Sequence, residues 1–578
     1  MREMEFLVRR ILLSLSCAGL AIFGNCAETS GSAVRKKYVA FGWEFAGASV
    51  SNILRVADQL DATSLDGIGI YLRLPRDGRW TPVSVPHGRA LAWSDVEPVL
   101  PAFRELGTHR SMKESFIQSF CAPTNRLDWA NDADWARIGV NMRMLARLAK
   151  RSGLKGLFVD DEDYHKQHQF SRRPGELPPK ELAALVRRRA RETFGLAFEE
   201  YPEMTVFFFR FFSASPAYAG SADPLAASVT RGDLWPSFLD GILDVLPPAA
   251  KLVDGYEESY EFDSLRNDYL KGYVAARSRL LNLADGAGNR RKYRTQVSCS
   301  QAIYLDMYCN REGVRYYSAP FAGSRFGHLA ANLGQITHAA DEYVWLYGES
   351  RQWADWKKAR RWMKKYGLWE DAFSGLNETL AALKDPNGYA VRRLATLKAS
   401  GAFRPENANW ACVRPTSVSE KNPVSPYVLW PEKPKGGRNL AYYDPTVGED
   451  DSSSICVEDV PSGCVILHVN KVEPGTVYLV GASAKGDAVS VTLYWKRNGK
   501  WDFLTLPGCA IDMSDPDGNG WRHALTTVVV PAEADGFGLQ MGVVQNLGEK
   551  SWFDNIFVQR VTGASPNLGL SDLPNDKK

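Results

Sequence analysis

The sequence contains little that marks a nucleic-acid-binding or zinc-binding protein. Its formal net charge is only +3 over 578 residues, and no long basic run is interleaved with aromatic residues, so we expect no nucleic-acid partner. Its nine cysteines and eight histidines show no CxxC or His/Cys spacing typical of a zinc site. We therefore expect no transition metal and no cofactor for catalysis. No GxGxxG motif follows the first candidate strand, which argues against a nucleotide-binding fold.

Long hydrophobic runs are also absent, except near the N-terminus. The basic pair Arg9-Arg10 precedes an apolar run over residues 11–23, which is too short for a typical membrane-spanning helix. This pattern predicts a signal peptide over residues 1–33 and a secreted or periplasmic protein with no membrane span. In an oxidising compartment the candidate disulfide pairs are Cys299 with Cys309 and Cys456 with Cys464.

Residues 34–400 alternate short apolar runs with amphipathic helical patterns. Regular alternation of strand and helix favours a parallel sheet, and eight units in this length favour an α/β fold of the (β/α)8 TIM barrel type. A doubly wound open sheet is the alternative. The candidate strands are residues 38–45, 67–73, 115–120, 156–161, 204–212, 251–257, 301–308 and 342–348.

The composition changes after this predicted barrel. Residues 401–439 are rich in Pro, Asn and Lys, which predicts a linker. Residues 440–562 consist of short alternating strands with a hairpin turn at Asn498-Gly499, which predicts an all-β sandwich. Residues 563–578 are polar and contain Pro and Gly, so we expect a disordered tail.

The end of the predicted sandwich, Trp552-Phe553-Asp554-Asn555, resembles the closing strand of jelly-roll carbohydrate-binding modules. The order of residues 472–478 and 521–522 before it also resembles that family. The resemblance implies a carbohydrate-binding-like domain with a structural calcium, for which Asp554 is the matching ligand. Sugar binding by this domain stays open, since many such modules only support their neighbour.

An acidic run, Asp160-Asp161-Glu162-Asp163, follows the fourth candidate strand. The C-terminal ends of strands carry the chemistry of α/β barrels. Because side chains alternate along a strand, Phe158, Asp160 and Glu162 share one face. Two carboxylates on one face of a partly dry cleft raise each other's pKa, which keeps a carboxylic acid protonated for general acid work. A solvated acidic loop is the alternative.

Other strand ends carry further polar and aromatic side chains. Interior positions near the C-terminal rim of a barrel point at its mouth, so we expect these side chains to line one acidic cup. The 17 Trp and 23 Tyr residues suit stacking against sugar rings. Cleavage of a glycosidic bond requires two carboxyl groups in such a cup. The expected rim residues are Glu44, Arg210, Tyr256, Glu258, Asp306, Trp345, Tyr347 and Glu349.

The fourth strand also resembles the Asp-x-Asp-x-Glu signature of glycoside hydrolase family 18. Asp160 and Glu162 match its last two acidic positions, whereas Phe158 replaces the first. Tyr256 and Trp345 match positions where that family has a Tyr and a Trp at the floor of the site. The resemblance implies that Glu162 is the acid and Asp160 its partner.

These patterns together predict a secreted glycoside hydrolase acting on a polysaccharide or oligosaccharide. We expect Glu162 to be the general acid/base, Asp160 to tune its pKa, and Glu258 or Glu349 to be the nucleophile or water-activating base. The expected substrate-binding residues are Glu44, Asp161, Arg210, Tyr256, Asp306, Trp345 and Tyr347.

Two alternatives stay open. The acid that is missing at Phe158 allows a non-catalytic glycan-binding protein on a degenerate barrel. A polysaccharide lyase is the other alternative, with Tyr256 as a base and Arg210 as a clamp for an acidic sugar.

Overall fold

The computed structural model describes residues 35–76, 79–120, 123–321, 324–356, 366–403, 427–431, 440–449, 453–503, 506 and 508–562. The predicted signal peptide, most of the predicted linker and the predicted tail lie outside the described residues. Among the helices that these ranges contain, none combines the length and hydrophobicity needed to cross a bilayer.

The N-terminal part contains eleven described strands. They are β1 (Lys37–Gly42), β2 (Gly67–Ile70), β3 (Arg73–Arg76), β4 (Arg79–Pro82), β5 (Phe116–Phe120), β6 (Gly156–Val159), β7 (Thr205–Phe208), β8 (Lys251–Asp254), β9 (Val297–Cys299), β10 (Ala302–Tyr304) and β11 (Tyr343–Gly348).

Nine of these strands form one parallel sheet in the order β10-β11-β1-β2-β5-β6-β7-β8-β9. The two strands at the ends of this order, β9 and β10, are consecutive in the chain and separated only by Ser300-Gln301. The sheet therefore closes into a barrel whose seventh strand is interrupted, and the predicted (β/α)8 barrel is confirmed. β3 and β4 form a separate antiparallel hairpin after β2, which the sequence did not predict.

Helices surround the barrel. The described helices are α1 (Trp43–Ala46), α2 (Val50–Leu54), α3 (Ala57–Asp61), α4 (Trp93–Val96), α5 (Leu100–Leu106), α6 (Asp132–Ser152), α7 (Pro179–Glu200), α8 (Pro224–Thr230), α9 (Trp235–Val245), α10 (Asp268–Ser278), α11 (Gly286–Gln296), α12 (Arg325–His338), α13 (Trp369–Ala372), α14 (Leu376–Lys384) and α15 (Pro386–Ala399).

The helix before the acidic run shows how the sequence sets these boundaries. The side chain of Asn131 accepts hydrogen bonds from the backbone N–H groups of Ala133 and Asp134, and these bonds cap the start of α6. Gly153 ends the helix at φ 70°, a left-handed conformation that glycine adopts without strain. All four residues of β6 are buried, as expected for a strand covered on both faces.

Aromatic side chains fill the interior of the barrel. The Phe41 ring lies 5.0 Å from the rings of Phe158 and Phe209 and 5.6 Å from that of Trp345. Gly69 leaves room for Phe41, because a Cβ at that position would lie 2.2 Å from the Phe41 ring. These packed rings form a dry floor below the mouth of the barrel.

The C-terminal part is an all-β sandwich, as predicted. Its strands are β12 (Val428–Trp430), β13 (Leu440–Asp444), β14 (Ser454–Glu458), β15 (Gly463–Asn470), β16 (Val477–Lys485), β17 (Val489–Arg497), β18 (Lys500–Trp501), β19 (Cys509–Ile511), β20 (Trp521–Val529), β21 (Gly536–Val543) and β22 (Lys550–Thr562).

The sandwich consists of two antiparallel sheets. One has the order β12-β15-β21-β17-β18, with β19 paired to β17, and the other has the order β13-β14-β22-β16-β20. β12 lies inside the range predicted as a linker, yet it pairs with β15. The sandwich therefore includes residues before the predicted boundary at residue 440.

The second sheet of the sandwich packs against the barrel domain. Ala390 of α15 is buried together with Leu479 and Phe557 of this sheet. The hydroxyl group of Thr527 donates to the carbonyl oxygen of Pro386 at 3.2 Å. The first sheet consequently has its outer face turned away from the barrel.

The candidate disulfide pairs do not form. Cys299, Cys309, Cys456 and Cys509 have free thiols. Cys456 and Cys464 lie on β14 and β15, which belong to different sheets, so their closeness in sequence does not bring them together.

Candidate active site at the mouth of the barrel

A cavity of about 450 Å³ opens at the carboxyl ends of the barrel strands. The segment after β4, residues 83–87, supplies one wall. Three carboxylic acids, several aromatic rings, two histidines and an amide face the cavity. They are Asp160, Glu162, Glu257, Phe41, Trp43, Tyr71, Tyr164, Phe209, Tyr347, His87, His165 and Gln118.

The side chains of β6 and of the residues after it alternate between the two faces of the strand, as the sequence predicts. Phe158 faces the barrel interior, whereas Leu157 and Val159 face the helices. Asp160 and Glu162 continue the inward face beyond the strand and line the cavity.

Asp160 and Glu162 are linked through the backbone. Asp160 Oδ1 accepts the backbone N–H of Glu162 at 3.0 Å. Burial, and then the nearby charge of Glu162, raise the pKa of Asp160 to about 7. The hydroxyl group of Tyr164 donates to Glu162 Oε2 and orients that carboxyl group.

The side chains after β8 point to the opposite faces from those that the sequence predicts. Val253 faces the interior, so Asp254 and Tyr256 turn towards the helices. Tyr256 adopts φ 49°, and a short 3-10 helix, Glu257–Glu261, starts immediately afterwards. This sharp exit directs Glu257, and not Glu258, into the cavity.

Glu257 was missed by the sequence reasoning, although its environment is that of a proton-carrying acid. Its side chain is 13% exposed. Burial, and then the charge of Glu162, raise the pKa of Glu257 to about 9, while Arg210 acts in the opposite direction. The sequence carried no clear signal for this residue, because Leu252 and Val253 are both apolar and leave the phase of the strand undetermined.

Asp254 fixes the geometry of this exit. Its Oδ1 accepts the N–H groups of Phe211 and Tyr256, at 3.0 and 3.3 Å, and the Ser213 hydroxyl group at 2.5 Å. Its Oδ2 accepts the Ser213 N–H at 3.0 Å. A single buried carboxylate thus joins the ends of β7 and β8.

Arg210 binds acidic side chains behind the cavity. Its guanidinium lies 2.9 Å from Asp161, 3.5 Å from Glu257 and 3.9 Å from Glu258. The predicted placement of Asp161, Arg210 and Glu258 in the cup is therefore corrected, since none of them lines the cavity. Glu258 lies at the outer edge, with its side chain 43% exposed.

Two predicted rim acids instead hold backbone segments. Glu44 accepts the N–H groups of Trp353 and Ala354 at 2.8 and 3.3 Å, and burial raises its pKa to about 8. Asp306 is buried and accepts the N–H groups of Glu349 and Ser350 at 2.7 and 3.1 Å. Neither acid lines the cavity, so their predicted role at the substrate is corrected.

The predicted aromatic floor is also revised. Trp345 is fully buried, donates to the carbonyl oxygen of Gly255 at 2.6 Å and stacks on Phe209. Tyr256 packs on Phe262 in the layer between barrel and helices, with ring centroids 5.4 Å apart. Neither faces the cavity.

Tyr347 does line the cavity, as predicted. Its hydroxyl group donates to Glu349 Oε1 at 3.0 Å, which places Glu349 behind the ring. Nothing in the positions of Tyr256, Trp345 or Phe158 supports the resemblance to family 18.

The outer face of the first sandwich sheet carries an aromatic platform, formed by His468, Tyr494, Trp501 and Phe503. The Trp501 ring lies 5.4 Å from His468 and 6.1 Å from Phe503, and Phe503 is 54% exposed. Gly538 lies beneath Trp501, because a Cβ there would be 2.3 Å from that ring.

Asp554 has a role in the structure of the sandwich. Its Oδ2 accepts the N–H of Glu449 at 2.8 Å and its Oδ1 that of Asn555 at 2.7 Å. Glu449 in turn pairs with His523, so the local donors mix an imidazole with oxygens, whereas calcium prefers oxygen ligands alone. These contacts explain the position of Asp554 without an ion, and calcium binding stays a prediction.

No protein-family model and no curated protein matches the chain. Among solved structures, it is similar to the enzymatically active domain of bacteriophage CBA120 tailspike protein 4, with 16% identity over 27% of this chain and a TM-score of 0.20. The match spans only 23% of that tailspike chain.

Two further similar structures come from Clostridium thermocellum. The C-terminal family 22 carbohydrate-binding module of Xyn10B has 15% identity over 28% of this chain and 99% of its own, with a TM-score of 0.19. The CBM22-1–GH10 modules of the same endo-xylanase have 13% identity over 23% of this chain and 26% of that chain, with a TM-score of 0.18. TM-scores this low carry no argument about this chain.

We expect Asp254→Ala to destabilise the fold strongly. The change leaves three buried N–H groups and a hydroxyl group without their acceptor, at about 1–3 kcal/mol for each unsatisfied group. Urea unfolding should therefore show a free energy of unfolding lower by at least about 3 kcal/mol. Asp58→Ala, at a side chain that is 99% exposed, is the control and should change little. Equal stability of the two variants would contradict the role given to Asp254.

Proposed function

We propose that the chain is a glycoside hydrolase whose catalytic pair is Glu162 and Glu257. The observation that carries the proposal is that two carboxyl groups from different strand ends, Glu162 and Glu257, face one aromatic-lined cavity. A glycosidase needs one carboxylic acid for the leaving oxygen and one carboxylate for the sugar ring or the water.

Glu257 is the general acid in this proposal. Its raised pKa, about 9, keeps it protonated at neutral pH. Glu162, oriented by the Tyr164 hydroxyl group, is the nucleophile or water-activating base. Asp160 holds the backbone of Glu162. The roles therefore differ from those expected from the sequence, where Glu162 was the acid.

Aromatic rings supply the walls that would hold a sugar. Trp43 is 41% exposed and Tyr164 is 70% exposed, and both border the cavity with Tyr71 and Tyr347. The described lining residues include no arginine or lysine, which favours a neutral glycan over a uronic polymer.

The positions of the site residues also weigh against the two alternatives. A lyase would use Tyr256 and Arg210, but both lie outside the cavity. A degenerate barrel would lack the second acid, but Glu257 supplies one in place of the acid missing at Phe158.

The direct test measures the hydrolysis of two kinds of substrate by variants of Glu162, Glu257 and Glu258. The substrates are neutral oligosaccharides and a nitrophenyl glycoside of the released sugar. We expect Glu257→Gln to lower kcat on oligosaccharides by about 10²–10⁴, the usual worth of a general acid. It should spare the nitrophenyl glycoside, whose leaving group needs little protonation. Glu162→Gln should lose activity on both substrates.

Glu258→Gln is the matched control, one residue along the same 3-10 helix and outside the cavity. We expect it to keep near-normal activity on both substrates. Loss of activity in Glu258→Gln with retention in Glu257→Gln would contradict the assignment. Binding without hydrolysis by the unmodified chain would favour the non-catalytic alternative.

We also expect an alkaline limb in the pH dependence of kcat/KM. A general acid works only while protonated, and Glu257 loses its proton as the pH rises through about 9. kcat/KM should therefore fall above that pH. Rates measured from pH 5 to 10 test this, and a limb that persists unchanged in the residual activity of Glu257→Gln would contradict it.

For the sandwich, we propose that the aromatic platform binds a glycan chain. The planes of its Trp501 and Phe503 rings lie 22° apart and, with a glycine beneath Trp501, these rings offer an apolar surface on the sheet that faces away from the barrel. The platform would keep a polymeric substrate close to the cavity.

We expect Trp501→Ala to weaken binding to an insoluble or soluble polysaccharide by about tenfold or more, which is about 1.4 kcal/mol. Affinity electrophoresis measures this, with Glu257→Gln as background so that the polymer stays intact. Leu547→Ala, at a side chain that is 85% exposed, is the control. Equal retention of the two variants would contradict the proposal.

A further inference from the structure

Helix α12 holds the segment that carries Glu257, residues 257–267. Asn332 Oδ1 accepts the N–H and the hydroxyl group of Ser264 at 2.9 and 2.6 Å. Gln335 Nε2 donates to Asn267 Oδ1 at 2.9 Å. One face of the helix therefore fixes the part of this segment that follows the short 3-10 helix.

His328 lies on the same face, one turn before Asn332. Its side chain is nearly fully buried, and its Nδ1 lies 2.7 Å from the carbonyl oxygen of Ala319. Its Nε2 lies 3.1 Å from Asp263 Oδ1. The Ser318 hydroxyl oxygen also lies 3.1 Å from Nδ1 and can donate to it. The carbonyl oxygen and the carboxylate only accept hydrogen bonds, so bonding to both of these acceptors requires a hydrogen on each ring nitrogen. This geometry favours the imidazolium form.

The cation contacts two stretches of chain that border one cavity. This cavity of about 210 Å³ is lined by residues from 261–266 and from 317–321. His328 borders it and reaches both sides. Because packing across the cavity is incomplete, polar contacts contribute much of the attachment.

The charges around the ring favour its protonated form. Burial lowers the pKa of His328, but the hydrogen bonds to Asp263 and Ala319 and the charge of Asp263 outweigh it, so the pKa lies above the ordinary value. The same pair lowers the pKa of Asp263. The titratable and charged groups around the ring are Asp263, Arg266, Glu261, Tyr308, Tyr317 and Arg325.

We propose that His328 is a cationic latch that holds the Glu257-bearing segment against the loop at residues 317–321, and that it is thereby a positioning residue for Glu257. The catalytic part rests on the proposed function, whereas the latch itself does not. Because the pKa of His328 is raised, the latch is closed at acid and neutral pH, and it opens as the pH rises through the pKa of His328.

The first experiment is ring ¹⁵N NMR on the full chain labelled at histidine, with the His328 signal identified by its loss in His328→Gln. At pH 7 we expect both ring nitrogens to be protonated. Asp263→Asn should move the titration midpoint down by about one pH unit or more, since it removes the paired charge. A neutral ring at pH 7, or a midpoint that Asp263→Asn leaves in place, would overturn the proposal.

The second experiment is hydrogen exchange of the same full chain. We expect amides in residues 257–265 to exchange about tenfold faster or more in His328→Gln than in the unmodified chain. His338→Gln, an exposed histidine on the same helix, is the matched control and should exchange normally. Equal exchange in the two variants would overturn the latch.

Kinetics on a cleaved glycan test the link to Glu257. His328→Gln should lower kcat with little change in KM, and should move the alkaline limb that belongs to Glu257. An unchanged kcat and limb would remove the positioning role. If the unmodified chain cleaves no glycan, the proposed function fails, and the NMR and exchange results still decide whether the latch exists.

Discussion

The buried carboxylate of Asp254 determines which side chain reaches the mouth of the barrel. By accepting hydrogen bonds from the ends of both β7 and β8, it holds the backbone of Tyr256 at φ 49°. The chain then turns into a 3-10 helix with Glu257 pointing inward. Without this contact, the strand phase that buries Val253 would not by itself place an acid at the cavity.

The aromatic interior of the barrel raises the pKa of the acids above it. Phe41, Phe158 and Phe209 form a floor without polar atoms, so the carboxyl groups above it lose part of their hydration. Burial is the largest cause of the raised pKa values of Asp160 and Glu257, and the charge of Glu162 comes second for both. Phe158 thus serves as part of this floor.

The fold was predictable from the sequence because it rests on patterns that local physics fixes. Alternating strand and helix patterns, the Asn131 cap and Gly153 at the end of α6 place the barrel, and short alternating strands with turn signals place the sandwich. The shared face of Asp160 and Glu162 was also predictable because side chains alternate along a strand, although β6, which is buried on both faces, does not itself show which face is inward.

The rest of the site was not predictable, for reasons that particular residues make clear. β8 carries one apolar and one charged residue on each face, so its phase is absent from the sequence, which predicts Glu258 in place of Glu257. In the sequence Glu44 and Asp306 have the pattern of rim acids. Only the structure shows that they accept hydrogen bonds from backbone N–H groups instead. Tyr71 and His87 reach the cavity from loops, whose paths depend on tertiary contacts, and Trp43 reaches it from the first turn of α1.

Glu257 carries a proton at neutral pH inside the cavity, and infrared difference spectroscopy tests this without a substrate. We predict a protonated-carboxyl component at pH 7.5 that disappears as the pH rises through about 9, is lost in Glu257→Gln and persists in Glu258→Gln. The component that belongs to Glu44, whose pKa is about 8, should remain in both variants. A band that persists in Glu257→Gln and is lost in Glu258→Gln, or no such band at all, would contradict the protonation of Glu257.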